Sequence, residues 1–350
     1  MRYKLFGKSG LRVSELCLGT MTFGEDWGWG ASKAESRKIF DAFCEAGGNF
    51  IDTANCYTNG TSEKFTGEFI AAERDRFVLS TKYTQSTKMG EVNACGNHRK
   101  NLVRSLEDSL TRLKTDRLDL YWVHMWDFMT PVEEVMRALD DMVRAGKILY
   151  AGISDTPAWI VSQANTLAAL RGWTPFAGLQ IEYSLIERTA ERELLPMAAA
   201  LDIAVTAWSP LGSGILTGKY GRSSTTNAPE PKRLTTGLGD FRGVLNDRNS
   251  FITDEVCKIA GRTGRAPSQV ALNWLRAQKG VVLPILGSRT ALQMKENLGC
   301  LDFELDEKDL MQLGEISKID LGFPHDFLAN GSIREFVFGG TLPSIENHRT

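Results

Sequence analysis

The chain alternates between short β-rich runs and stretches of helical period, and that alternation admits very few folds. The runs end near Leu18, Ile51, Leu79, Val123, Ile153, Ile181, Ala207 and Leu286. Most are followed by an amphipathic segment. Lys33 to Ala46 places Ile39, Phe40, Phe43 and Ala46 on one face and stops at Gly47-Gly48. Leu102 to Leu113 keeps Leu102, Leu106, Leu110 and Leu113 in register. Pro131 to Ala145 opens with a first-turn proline and ends at Gly146. Ser268 to Gln278 and Asp306 to Ser317 also read as helices. Eight strand–helix units in 350 residues fit a closed (β/α)8 TIM barrel better than an open doubly wound sheet. Tyr3 to Val13 reads as an N-terminal β-hairpin turning at Ser9-Gly10. No linker interrupts the pattern, so residues 1–350 are expected to form one barrel domain. Three long loops are expected at its C-terminal face: residues 85–100, an insertion at 221–249 after the seventh strand, and the C-terminal tail 321–350.

Bulk properties exclude several classes. A formal net charge of -2 offers no electrostatic case for nucleic acid or acidic lipid. No apolar stretch approaches membrane-spanning length, and the first residues lack a secretory signal's apolar segment. Six scattered cysteines without a Cys-x-x-Cys pair fit free thiols in a reducing, cytoplasmic setting. The four histidines include no His-x-His pair, so no metal is expected and a metal-dependent barrel hydrolase is disfavoured.

Barrel enzymes place their chemistry at the carboxyl ends of the strands. Asp52, Lys82 and His124 each close one of the apolar runs, and Tyr57 lies a short turn beyond Asp52. Any one of them alone reads equally well as a cap, a solvated charge, a structural imidazole or a packed ring. Their joint placement at successive strand ends is what suggests a site. Asp52 and Lys82 would satisfy one another. A free phenol has a pKa of about 10. The Lys82 ammonium would stabilise phenolate and is expected to lower that value, making Tyr57 a tunable general acid. His124 could hydrogen-bond a substrate oxygen. The set suits carbonyl reduction, with hydride arriving at carbon while Tyr57 protonates oxygen.

Hydride chemistry needs a cofactor, yet no Gly-x-Gly-x-x-Gly follows the first strand. Gly237-Leu238-Gly239, in the long insertion, does not meet that pattern. The cofactor would instead lie across the barrel mouth. Trp208 could stack on a nicotinamide, and the backbone amides of Ser209-Pro210-Leu211-Gly212-Ser213-Gly214 could hold a pyrophosphate. Ser154 and Gln180 could bind a carboxamide. After the eighth strand come Gly287-Ser288-Arg289, then Gln293 and Asn297; Arg289, Gln293 and Asn297 are spaced by four and would share a helix face. A phosphate at that helix start would meet free N–H groups, and Arg289 would add a forked donor, favouring NADPH. Rim packing for Trp208 and a solvated charge for Arg289 explain those two residues as well.

At this point the chain resembles the aldo-keto reductase family over nearly its whole length. Leu18-Gly19-Thr20-Met21, Asn49 through Tyr57, Ser80-Thr81-Lys82, and Leu118 through His124 carry the likeness. So do Gly152-Ile153-Ser154, Gln180 through Ser184, Trp208-Ser209-Pro210-Leu211, and Leu286 through Asn297. The resemblance implies NADPH-linked carbonyl reduction, with Tyr57 as acid, Lys82 and Asp52 as its tuning pair, and His124 as orienter. It also implies that Gly19, Thr20 and Met21 line the cofactor cleft, that Lys219 contacts phosphate, and that Glu296 joins the nucleotide contacts. Within the family the chain is most similar to the aryl-alcohol dehydrogenase-like branch, through residues 96–101, 124–127, 152–159 and 338–341. Asp155, which the resemblance places among the cofactor-binding residues, stands where many relatives carry Asn, and an acid there could weaken or reshape the contact to the carboxamide. Trp27, Trp29 and Trp126 offer aromatic surface for an aryl or polycyclic substrate. His98, beside Arg99 and Lys100, is expected to be solvated or to gate substrate. The competing reading is a barrel that holds NADPH without turnover, as a sensor or accessory subunit. Substrate, direction, and monomer versus homo-oligomer are left open.

Overall fold

Eight parallel strands close on themselves in a computed structural model that describes residues 1–220 and 243–347. In chain order they are β3 (Cys17–Gly19), β4 (Phe50–Asp52), β5 (Val78–Tyr83), β6 (Leu118–Val123), β7 (Ile148–Ser154), β8 (Phe176–Glu182), β9 (Ala204–Trp208) and β10 (Val282–Gly287). Each pairs with its sequence neighbours, and β10 pairs back onto β3. The TIM barrel read from the alternation is therefore the observed fold. The expected hairpin is present as β1 (Tyr3–Leu5) against β2 (Arg12–Ser14).

The outer layer holds α1 (Lys33–Glu45), α2 (Thr61–Ile70), α3 (Arg99–Leu113), α4 (Val132–Arg144), α5 (Ala158–Arg171) and α6 (Leu194–Ala200). It continues with α7 (Asp247–Thr263), α8 (Pro267–Arg276), α9 (Ala291–Leu298) and α10 (Glu307–Ile316). Their apolar stripes meet the outward faces of the strands. On α4, Val135, Met136, Ala138 and Leu139 are fully buried against this layer, each large one of them stabilising the fold by about 1.5–3 kcal/mol. Pro131 caps α4 from outside rather than filling its first turn.

Alternation along the strands divides the barrel interior into tiers. Phe50, Val78, Leu120, Trp122, Ala204, Leu283 and Ile285 form an inner apolar cluster with Phe6 and Val13 of the hairpin region. Phe6 packs edge-on to Phe50 and Trp122, with ring centroids 5.7 and 6.4 Å away, so the hairpin supplies the barrel floor. Gly152 and Gly178 make room for this plug. A Cβ at Gly152 would lie 2.3 Å from Cε3 of Trp122, and one at Gly178 would lie 2.5 Å from Cζ of Phe6. Two residues further along the same strands, the inward positions become Asp52, Ser80 and then Lys82, His124, Ser154, Gln180, Thr206 and then Trp208. The period of two thus places a polar tier directly above an apolar one.

Three boundaries differ from the sequence reading. Of the expected 221–249 insertion, 221–242 (with Gly237-Leu238-Gly239) lie outside the described residues, and α7 already begins at Asp247, where Asn246 accepts the N–H of Asn249. The 85–100 loop ends at His98, since Arg99 opens α3. The tail is not simply loop. It contains α11 (His325–Ala329) and α12 (Gly331–Phe338), the latter capped by Asn330. No helix among the described residues is long and apolar enough to cross a membrane.

Candidate active site

Lys82 is the hub of the polar tier. Its side chain is fully buried, and its ammonium donates to Asp52 Oδ2, to the Thr53 carbonyl at 2.8 Å and to the Tyr57 hydroxyl at 3.2 Å. An ammonium has three protons to donate, and all are used. Asp52 is equally engaged: Oδ1 accepts from Ser80 Oγ at 2.8 Å and from Gln180 Nε2 at 3.3 Å. A buried pair is tolerable only when so completely hydrogen-bonded. Burial alone would depress the Lys82 pKa, but the charges of Asp52 and Tyr57 and the hydrogen bonds to both together outweigh it, and the net direction is up.

Tyr57 enters on a short turn (Tyr57–Gly60) after β4, in which Thr58 and Asn59 adopt left-handed backbone. The Lys82 ammonium also lies 4.8 Å from the Tyr57 ring centroid. The expected acidification of Tyr57 is not the net result. Burial raises the phenol, Lys82 lowers it, and the balance leaves it pushed up to about 12. The phenol is therefore held protonated, which suits a proton donor. His124 packs edge-on to Tyr57 at 5.9 Å. Burial first, and then the Lys82 charge, hold the imidazole well below its usual pKa, hence neutral. Nδ1 is buried without a hydrogen-bond partner.

The remaining rim residues fall into two groups. Ser154 is buried with its hydroxyl unpartnered, as is that of Ser288. Gln180 turns its amide nitrogen to Asp52, so a ligand would meet its oxygen instead. Trp208 is partly exposed, and its Nε1–H donates to Asp155 Oδ1 at 3.0 Å. Met21, Gly287, Arg289 and Gln293 have solvent-facing surface, whereas Gly19 and Thr20 are buried. Thr20 braces the site: its hydroxyl donates to the Asp52 carbonyl at 3.1 Å and meets Ser62 at 2.8 Å.

Both expected phosphate cradles differ in detail. After β9, the N–H groups of Gly212, Ser213 and Gly214 already donate to Ser209 O, Ser209 Oγ and Leu211 O. Ser209, Ser213 and Gly214 are left-handed there, and the Lys219 ammonium lies against Gly214, where a Cβ would come within 2.8 Å of it. Pro210 is buried and Leu211 packs on the core. At α9, Arg289 precedes the cap Thr290 and so does not share the helix face of Gln293 and Asn297. Its backbone N–H donates to Gln293 Oε1, Thr290 Oγ1 caps Gln293, and Ala291 N–H is held by Glu35 Oε1 at 2.7 Å. That bond keeps the Glu35 carboxyl below the usual range. Several of the amides at both places are thus already engaged within the chain. Asn297 is buried, and Glu296 accepts from Ser268 Oγ at 2.9 Å, facing α8.

On the substrate side, Trp27 lies edge-on to Tyr57 at 6.5 Å and 5.5 Å from Trp29. Trp126 is instead 9 % exposed and packed in the apolar layer. His98 is a helix cap rather than a solvated ring: its Nδ1 accepts Asn101 N–H at the start of α3 at 3.3 Å, and its Nε2 is buried. Sequence reasoning passed over Asn55. It is 2 % exposed, follows β4 at the mouth, and neither polar atom of its amide has a partner. An amide in a turn carries no charge signal, so nothing in the pattern marked it. Among the described residues no cluster of three metal-ligating side chains occurs.

The comparisons agree with this geometry. Residues 15–318 match the model of the Aldo/keto reductase family. A norsolorinic acid reductase of Aspergillus flavus is 38% identical over 334 residues, covering 93% of this chain and 83% of that protein. An aryl-alcohol dehydrogenase [NADP(+)] of Phanerodontia chrysosporium is 37% identical over 344 residues, covering 92% and 87%. An aryl-alcohol dehydrogenase of Pestalotiopsis microspora is 36% identical over 343 residues, covering 95% and 86%. A matching family model across most of the chain, a closed parallel barrel and a Tyr–Lys–Asp–His tier at its mouth lead to one conclusion: this chain belongs to the aldo/keto reductase family.

Proposed function

We propose that the protein is an NADPH-dependent oxidoreductase that reduces aldehyde or ketone carbonyls to alcohols, and runs in reverse when NADP+ and alcohol dominate. One observation carries the reading: the Lys82 ammonium donates at once to Asp52, Thr53 O and Tyr57. Because Lys82 donates, the phenol oxygen accepts and keeps its own proton for a substrate oxygen. Tyr57 is the general acid, Lys82 and Asp52 hold charge and geometry, and neutral His124 offers a ring nitrogen to the same oxygen.

The residues present fit a dinucleotide. Unpartnered buried hydroxyls of Ser154 and Ser288 supply polar contacts, a partly exposed indole at Trp208 suits a planar ring, and Lys219 and Arg289 supply cations for phosphates. When bound, the nicotinamide supplies or accepts the hydride. The relative named for NADP(+) supports this cofactor choice. Trp27, Trp29 and the edge of Tyr57 form an aromatic wall, which favours aryl or polycyclic substrates. Six free cysteines suit a cytoplasmic protein. Turnover of para-nitrobenzaldehyde, followed by NADPH absorbance, tests the proposal. Loss of NADPH with wild type but not with Tyr57→Phe is expected. Cofactor binding without turnover of this and other aryl aldehydes would instead indicate the non-catalytic NADPH-binding barrel.

A further inference from the structure

Thr58 directly follows Tyr57 and is held in a backbone conformation that its side chain resists. At φ 44° and ψ 47° it is left-handed, a region that a β-branched residue enters only with strain. Asn59 and Gly60 are left-handed as well. Such a run persists only where the surroundings over-determine it. The Thr58 side chain supplies that constraint. It is fully buried. Its hydroxyl donates to the Phe23 carbonyl at 2.6 Å, and the same oxygen accepts the Ser62 N–H at 3.0 Å. The Ser62 amide is one of the first-turn donors of α2 that a helix leaves unpaired, and Gly60, at the cap, has no side chain to take it. The facing loop is shaped to match. A Cβ at Gly24 would lie 2.9 Å from Thr58 Oγ1, so the glycine leaves the notch that the hydroxyl fills.

Two parts of the site are joined through this one group. Phe23 belongs to the loop after β3 that carries Trp27, and Trp27 lies edge-on to Tyr57. On the other side, Ser62 Oγ donates to the Thr20 carbonyl at 2.7 Å and meets Thr53 Oγ1 at 3.0 Å. The Thr53 carbonyl in turn accepts from Lys82. We propose that Thr58 is a positioning residue of the reaction: its hydroxyl locks the Tyr57 turn to the Trp27 loop, so that the proton donor and the aromatic wall keep one fixed separation. The inference rests on the function proposed above, with Tyr57 as acid. Fully buried, Thr58 offers no surface to a ligand; it acts through where it holds the phenol.

The test is single-turnover reduction of para-nitrobenzaldehyde by preformed enzyme–NADPH complex, for wild type, Thr58→Val, Thr58→Gly and Thr58→Ser. Fluorescence titration with NADPH and circular dichroism melting accompany it. Rates are read well below each melting temperature, where lost stability alone does not move them. Valine keeps the shape and the strain but lacks the hydroxyl. Glycine also lacks it, yet accepts the left-handed backbone freely. Serine keeps it. Expected is a fall of about 10- to 100-fold for valine and glycine, as a displacement of about 1 Å at a reacting group gives. NADPH affinity should stay within about twofold of wild type, and serine should restore the rate to within about threefold. A fall of less than about tenfold in a folded, NADPH-binding valine or glycine variant overturns the positioning role and leaves the proposed function standing. So does a serine variant as slow as they are. Wild type that binds NADPH but reduces neither this nor other aryl aldehydes removes the proposed function, and this inference with it.

Discussion

Nζ of Lys82 lies 3.2 Å from the Tyr57 hydroxyl and can only donate to it. The phenol proton is thereby directed elsewhere, and its raised pKa keeps it in place. Tyr57→Phe removes that proton while leaving the ring. We expect turnover to fall by about 10²–10⁴-fold, with cofactor affinity and melting temperature nearly unchanged. Steady-state kinetics beside a binding titration measures both. Retention of full turnover would transfer the acid role to another group.

Lys82→Met strands the Asp52 carboxylate in a place where its side chain is 3% exposed. Removing one member of a buried pair costs about 3–5 kcal/mol, and urea unfolding should show it. Adding Asp52→Asn should recover part of the loss. A double variant as unstable as the sum of the single ones would mean that the two charges are not coupled.

Neutral His124 links stability to pH. Its folded pKa lies well below the ordinary 6.5, so below that pH the unfolded chain binds a proton that the native ring refuses. This contribution is complete above pH 6.5 and is lost as pH falls beneath it. The slope should approach about 1.4 kcal/mol per pH unit. His124→Gln should flatten the stability–pH curve in that window. Curves that stay parallel for the two proteins count against the assignment.

Asn55 is a buried amide without protein partners. Groups of this kind are held at a cost that a ligand or water relieves. Asn55→Ala should therefore be neutral or stabilising in thermal melts by about 1 kcal/mol or less, yet weaken KM for carbonyl substrate or Kd for cofactor. Clear destabilisation without any change in binding would show that the amide serves the fold alone.

His98→Ala removes the side-chain cap of α3. It should cost about 1 kcal/mol of stability and leave kcat within about twofold of wild type, since the ring's hydrogen bond goes to the helix start and not to Tyr57, Lys82 or His124. A collapse of turnover like that of Tyr57→Phe would bring His98 back as a competitor to His124.

The barrel was legible because apolar runs and turn residues repeat, and because each run stops at a residue too polar to bury alone. Asp52, Lys82 and His124 stand out for that reason. The elements that escaped notice lack contrast. In α5, Trp159 and Leu170 are exposed beside buried Ile160, Val161, Ala164 and Ala168, so no clean stripe separates its faces. In α12 no residue is buried, and Phe336 is 85% exposed, which leaves no apolar face to read. Charge balance was legible only as proximity. That Lys82 would be near Tyr57 followed from strand order, but that burial would outweigh it required the depth of the site. Likewise, Arg289 and Gln293 share a spacing of four, yet the cap at Thr290 breaks the face between them.

The glycines opposite Trp122 have a practical corollary. With no side chain at Gly152 or Gly178 to intrude, the indole and the ring of Phe6 fill the space beneath the polar tier. Trp122 is fully buried there and stands beside Lys82 in the β5–β6 register, so a smaller side chain at position 122 would leave a void under the proton-handling groups, at a cost of about 3–5 kcal/mol.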